Sequence, residues 1–189
     1  MTARVVLARR APYLGSMQAH ILLFLAALAA PSLAYAQART PNRPAAPGPK
    51  SIGKFEDWQA VTHQEAGQAV CYAFARANAS TPALPGRGDV VLTVTQRPGG
   101  RDAVAVSAGF AYPASSEVQM GVGDATFAFY TSNRSAFARD GKAAVAAFER
   151  GRQAVVKSPG PRAAQVSDTF SLRGFSAAYA ATNKACPAR

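Results

Sequence analysis

From Phe55 onward the chain is built of short β-branched and aromatic runs, separated by Gly, Pro, Asn and Asp at roughly ten-residue spacing. That texture predicts an all-β sandwich or barrel of seven or eight short strands. Their expected positions are Asp57 to His63, Ala69 to Ala77, Asp89 to Arg97, Ala103 to Phe110, Glu117 to Val122, Ala125 to Thr131, Gln153 to Lys157 and Ala164 to Leu172. In the third of these, Val90, Leu92 and Val94 point one way and Val91, Thr93 and Thr95 the other. One face is therefore strongly apolar and its opposite partly so, as befits a central strand. Arg97-Pro98-Gly99-Gly100-Arg101 offers a preset φ and two residues tolerant of positive φ, which predicts a hairpin with a basic tip. Gly121-Val122-Gly123-Asp124 predicts a second hairpin.

Two helices are expected beside the strands. Asp140 can cap one over Gly141 to Arg150, with Ala144, Val145 and Phe148 on one face and Gly151 as the stop. Ser171 can cap another running through Ala185, with Phe175, Ala178, Tyr179 and Thr182 as its inward stripe.

Upstream the texture differs. Residues 1–36 read as a cleavable secretory signal peptide: three arginines early, an apolar run from Ile21 to Ala30, Pro31, then Ala34-Tyr35-Ala36. The run is about ten residues, against the ~20 needed to span a bilayer as a helix, so an uncleaved anchor is the lesser reading. Met17 is an alternative start to Met1. Residues 37–51, with Pro41, Pro44, Pro47 and Pro49 and no apolar periodicity, read as a Pro-rich disordered linker. Residues 52–189 form the folded domain. Lys and Arg number 21 against 10 Asp and Glu, and without the three signal arginines the net charge falls from +11 to +8. Residues 52–186 hold 14 basic and 10 acidic residues, so the compact part is only mildly basic. Weak, screened attraction to anionic surfaces follows from that balance.

An exported chain with two cysteines implies a structural disulfide, and within one monomer Cys71 can pair only with Cys186. Two free buried thiols and an intermolecular bridge are the competing readings. Without a C-x-x-C motif a thioredoxin-like role is disfavoured, and two thiols this far apart make a poor zinc site.

Other chemistry is sparse. His63 is the one imidazole after the signal, and beside Gln64 and Glu65 it reads as a solvated turn residue before it reads as a general base. Ser176 in Gly174-Phe175-Ser176-Ala177-Ala178 lacks the final Gly of a nucleophile elbow and reads as helix surface. Apart from Glu56-Asp57 the acids are scattered, which nominates no carboxylate pair and no metal cluster. Gly121-x-Gly123 precedes a strand and so is a turn, not a phosphate cradle of the helix-opening kind. Phe127, Tyr130, Arg134, Phe137 and Arg139 read first as core aromatics with a basic edge, and second as a ligand face. Trp58 reads as a core anchor.

Taken in order, Phe55-x-Asp57-Trp58, Cys71-Tyr72-Ala73, Val94-Thr95-x-Arg97-Pro98, Ser115-Ser116-Glu117-Val118, Ala154-Val155-Val156-Lys157 and Asp168-Thr169-Phe170-Ser171-Leu172-x-Gly174-Phe175-x-Ala177-Ala178, followed by Cys186, make an ordered series. The series resembles the invasion-associated locus B family, and it covers nearly the whole domain. The resemblance implies an exported proteobacterial protein that is mainly β: an immunoglobulin-like β-sandwich with one short helix and a C-terminal helix. It carries over no catalytic, cofactor-binding or metal residue. Many members place a Cys shortly after the Trp. Here Val61-Thr62-His63 stands there, so a bridge from that position is absent.

The expected function is a noncatalytic binding or accessory protein of the bacterial envelope, periplasmic, secreted or outer-membrane associated, with a possible link to host interaction or invasion. Its expected partner is an envelope or host protein or an anionic surface, with no specific nucleic acid, no cofactor and no transmembrane segment after processing. The alternative is an inhibitor of a host or envelope enzyme. A hydrolase built on His63 or Ser176 is the third reading.

Overall fold

The computed structural model describes residues 48–188. The expected signal segment and nearly all of the expected linker lie outside that range. Eleven strands and two α-helices follow in order: β1 (Lys50–Phe55), β2 (Trp58–Glu65), β3 (Gln68–Arg76), β4 (Ala79–Thr81), β5 (Val91–Arg97), β6 (Gly100–Ser107), β7 (Glu117–Val122), β8 (Ala125–Ser132), β9 (Ser135–Ala138), α1 (Gly141–Phe148), β10 (Gln153–Pro159), β11 (Gln165–Ser171) and α2 (Phe175–Ala185). The protein is mainly β, as expected. All eleven strands join one antiparallel sheet in the order β1-β2-β3-β5-β6-β9-β8-β7-β10-β11-β4. The immunoglobulin-like detail of that expectation is not confirmed by a ladder that runs continuously through all eleven strands.

The sheet must curl. β3 and β4 are third and eleventh in the ladder, so a flat sheet would set them about 38 Å apart at ~4.8 Å per strand. The chain joins them through Ala77 and Asn78 alone, a span of about 10 Å at most. Both linking amides are used: Ala77 N–H donates to the Val90 carbonyl and Asn78 N–H to the Thr169 carbonyl of β11. The two ends of the ladder therefore meet, and the inward side chains share one core. Trp58 marks the closure, because its indole Nε1–H donates to the Ser171 carbonyl across the seam at 2.9 Å. Its ring meets Phe175 of α2 edge-on at 4.8 Å, and Phe175 in turn meets Phe148 of α1 at 5.3 Å.

Alternation sets the register. Leu92 and Val94 of β5, Val104 and Val106 of β6, Val118 and Met120 of β7, and Ala154 and Val156 of β10 are all buried. The predicted hairpins at 97–101 and 121–124 close β5–β6 and β7–β8. The short strands β4 and β9 were not anticipated, and β1 begins at Lys50, inside the expected linker.

Helix α1 starts as expected and ends at Phe148, two residues before the expected Arg150. The Asp140 carboxylate accepts from Ala143 N–H at 2.9 Å, and the Gly151 amide closes onto the Ala147 carbonyl. Helix α2 starts later than expected, and Ser171 is not its cap. Ser171 ends β11, its hydroxyl accepts from Arg173 N–H, and its carbonyl is taken by Trp58. The turn instead passes through Gly174 at φ +86°, where a Cβ would run into the Phe55 carbonyl oxygen, so only glycine fits. Of the expected inward stripe Phe175, Ala178 and Thr182 are buried, while Tyr179 is half-buried.

Candidate functional site

Cys71 and Cys186 are joined, with their Cα atoms 5.9 Å apart, and no free cysteine remains among the described residues. The free-thiol and intermolecular readings fall away. The bond anchors a polar clasp. Gln96, fully buried opposite Cys71, donates from Nε2 to the Asp102 carboxylate at 2.8 Å and accepts from the Asp102 N–H at 3.1 Å. The same carboxylate oxygen accepts from the Tyr179 hydroxyl at 2.7 Å. Burial, and then that bond to the carboxylate, hold the Tyr179 phenol above its ordinary pKa. Arg101 donates to the Cys186 carbonyl at 2.6 Å and to Asn183 Oδ1. The expected basic hairpin tip is thus not free: Arg101 ties it to α2, and Arg97 pairs with Glu65 at 2.7 Å. The arginine bond and its charge hold the Glu65 carboxyl below its usual range.

A second buried centre was missed by the sequence reading. Arg87 grips Asp168 with two bonds of 2.8 and 2.7 Å, and the side chains are 6% and 1% exposed. Ser80 donates to Asp168 at 2.7 Å, Arg87 Nε donates to the Ala108 carbonyl, and the guanidinium lies 4.9 Å from the Phe110 ring centroid. One signal existed: Asp168 falls between Val166 and Phe170 on the inward parity of β11. Beside this pair, burial pushes the Tyr112 phenol up to about 12. Asp168 holds the fold here, with both of its carboxylate oxygens taken by protein donors.

The nominated catalytic residues are not brought together. His63 lies within β2, not in a solvated turn, packs edge-on against Tyr72 at 5.7 Å and lines a cavity of about 100 Å³. Its Nδ1 is buried without a hydrogen-bond partner among the described residues. Ser176 is exposed on α2, and no hydrogen bond among the described residues joins it to His63. Glu56 pairs with Arg173 at 2.7 Å. No group of three potential metal ligands forms among the described residues. The aromatic and basic set divides: Phe127 packs against the core, while Tyr130, 47% exposed, stacks on Phe137 beneath Arg139. Arg134 donates to the Gly109 carbonyl.

A third feature lies on the outer face of the sheet. Pairing sets Gly121 of β7 between Val155 of β10 and Thr126 of β8, and Gln119 beside Lys157. Added to Gln153 and the α1–β10 link Arg150-Gly151-Arg152, these residues line a cleft of about 630 Å³. The opening exists because Gly121 puts no side chain on this face; a Cβ there would meet nothing closer than 4.0 Å. Three cations and no carboxylate line it.

A model of the invasion associated locus B (IalB) protein family matches residues 58–183. The chain belongs to that family. No curated protein matches it. The crystal structure of invasion associated protein B from Bartonella henselae is similar in fold, with a TM-score of 0.54 at 17% identity, over 72% of this chain and 96% of that one. Within this IalB-family domain many of the residues that carry the sequence resemblance serve the core: Trp58, Asp168, Phe170, Phe175 and Cys186 are all buried. Of the cleft residues only Val155 and Lys157 belong to that series. No helix among the described residues is long and apolar enough to cross a membrane.

Proposed function

We propose that this IalB-family domain is an exported, noncatalytic binding module of the bacterial envelope that meets an envelope or host protein, or an anionic surface, through its outer surface. One observation carries the reading. The buried and half-buried polar chemistry, Arg87 with Asp168 and Gln96 with Asp102 and Tyr179, is consumed in holding strands and helix together, while three cations without a carboxylate partner among the described residues, Arg150, Arg152 and Lys157, line a cleft outside. The disulfide fits an oxidising location beyond the cytoplasm, and the name of the similar Bartonella protein supports a host-facing role. The test is affinity capture with crosslinking from envelope extracts and from host-cell surfaces, paired with a broad hydrolase screen. Reproducible partners without turnover are expected. Turnover that disappears in His63→Ala, or capture no better than background, defeats the reading.

A further inference from the structure

We infer that the cleft between β7, β8, β10 and the end of α1 is a binding site for a phosphate-bearing group. The inference deepens the binding-module reading and rests on it. Charge accounting points there first. Arg76, Arg87, Arg97 and Arg173 each hold a carboxylate, and Arg101 and Arg134 donate to backbone carbonyls. Several other cations, Lys50, Lys54, Lys142, Arg162 and Lys184 with Arg150, Arg152 and Lys157, do neither among the described residues, and of these Arg150, Arg152 and Lys157 converge on one concavity. Asp124 lines only a neighbouring hollow of about 250 Å³ that shares Arg150 with the cleft.

The neutral lining narrows the ligand. Gln119, Gln153 and Thr126 add amide and hydroxyl donors, and no aromatic ring lines the cleft to stack a base or sugar. A compact dianion with several acceptor oxygens satisfies this set better than a single carboxylate, because planar guanidiniums grip phosphate oxygens in pairs and lysine adds a point charge. The volume of about 630 Å³ accepts a phosphate together with its substituent, within the roughly 300–1,000 Å³ of small-molecule sites. The anion can be free phosphate or the headgroup of an anionic lipid; the recognising chemistry is the same.

The purified oxidised protein is titrated at low salt with inorganic phosphate and pyrophosphate, following backbone amide resonances. In parallel it is floated with phosphatidylcholine vesicles with and without phosphatidylglycerol. Saturable shifts centred on Gly121, Thr126, Gly151 and Gln153 are expected. The triple change Arg150→Gln, Arg152→Gln, Lys157→Gln weakens binding at least about tenfold. A control of equal charge, Lys50→Gln, Lys142→Gln, Lys184→Gln, keeps it. Phosphate binding without flotation assigns a free anion. Flotation that needs phosphatidylglycerol and is competed by pyrophosphate assigns a headgroup. Absent shifts, shifts scattered over the surface, or equal loss in both triples overturn the site. Envelope capture is scored separately on the unaltered protein, so failure at the cleft with capture intact strikes the phosphate site and spares the module.

Discussion

Asp168 shows how a buried charge can be necessary without being a large net gain. Taking a carboxylate and a guanidinium out of water costs several kcal/mol each, and the Arg87 fork with Ser80 and the Ala108 carbonyl offsets that cost only while both partners are present. Asp168→Asn leaves a buried guanidinium without its counter-charge and is expected to cost about 3–5 kcal/mol in urea unfolding. The joint change Arg87→Met with Asp168→Leu removes both charges and is expected to cost less than the single one. A single variant within about 0.5 kcal/mol of the parent would mean that the pair is better solvated than its 6% and 1% exposures imply. Tyr112 makes a pH-dependent contribution of opposite character. Its phenol is raised by burial from 10.0 to about 12, so between those values the unfolded chain gives up the proton before the folded one does. The folded state is therefore favoured fully below pH 10 and loses on the order of 2 kcal/mol as pH rises to about 12. Urea midpoints measured from pH 9 to pH 12 should fall less steeply in Tyr112→Phe. Part of the decline persists there, because Tyr179 is shifted in the same direction.

Helix α2 is the element on which several of these contacts converge, and its position is set at its first turn. Gly174 at φ +86° lets the chain leave β11 and pass against the Phe55 carbonyl. Gly174→Ala imposes both left-handed strain and a backbone collision, with an expected cost of about 2–3 kcal/mol in thermal or urea unfolding and faster amide exchange along α2. A neutral result would show that β1 can give way. This start was illegible in sequence for a local reason: Ser171 has the chemistry of a cap, and what prevents that role is the claim on its carbonyl by Trp58, 113 positions away. Helix α1 was legible because Asp140 and Gly151 act within their own segment. The long strands were legible by alternation, as in Leu92 and Val94, whereas β4 and β9, three and four residues long, give alternation too little length to register. The cleft was the least legible feature. Arg150 and Arg152 are neighbours in sequence, but Gly121 and Thr126 reach them only through the β7–β10 ladder, a non-local pairing that no periodicity announces.

At the scale of the whole molecule, the seam of the curled sheet is its weakest boundary, since β1 and β4 are the two ends of the ladder and neither has a second strand partner. The disulfide works against opening there. It joins β3 near one end of the ladder to the residue capping α2, the helix that follows β11 near the other end, and its two cysteines are 115 positions apart. A loop of that length restricts the unfolded chain by about 4–5 kcal/mol in the chain-entropy account, against a total stability of roughly 5–15 kcal/mol for domains of this size. Reduction should therefore lower the urea midpoint sharply and, because the freed unfolded chain exposes more surface, steepen the urea dependence of stability. Cys71→Ala with Cys186→Ala should reproduce the loss under oxidising conditions and become insensitive to dithiothreitol. Arg101 and Asn183 still clasp the hairpin to α2 in the variant, so partial docking of the helix is expected to persist while the global stability falls. If the parent protein kept its midpoint in dithiothreitol, the clasp and the Trp58 seam would be holding the ladder ends together without the bond. The case for an oxidising compartment would then lose its energetic basis, because the fold would survive equally well in the cytoplasm.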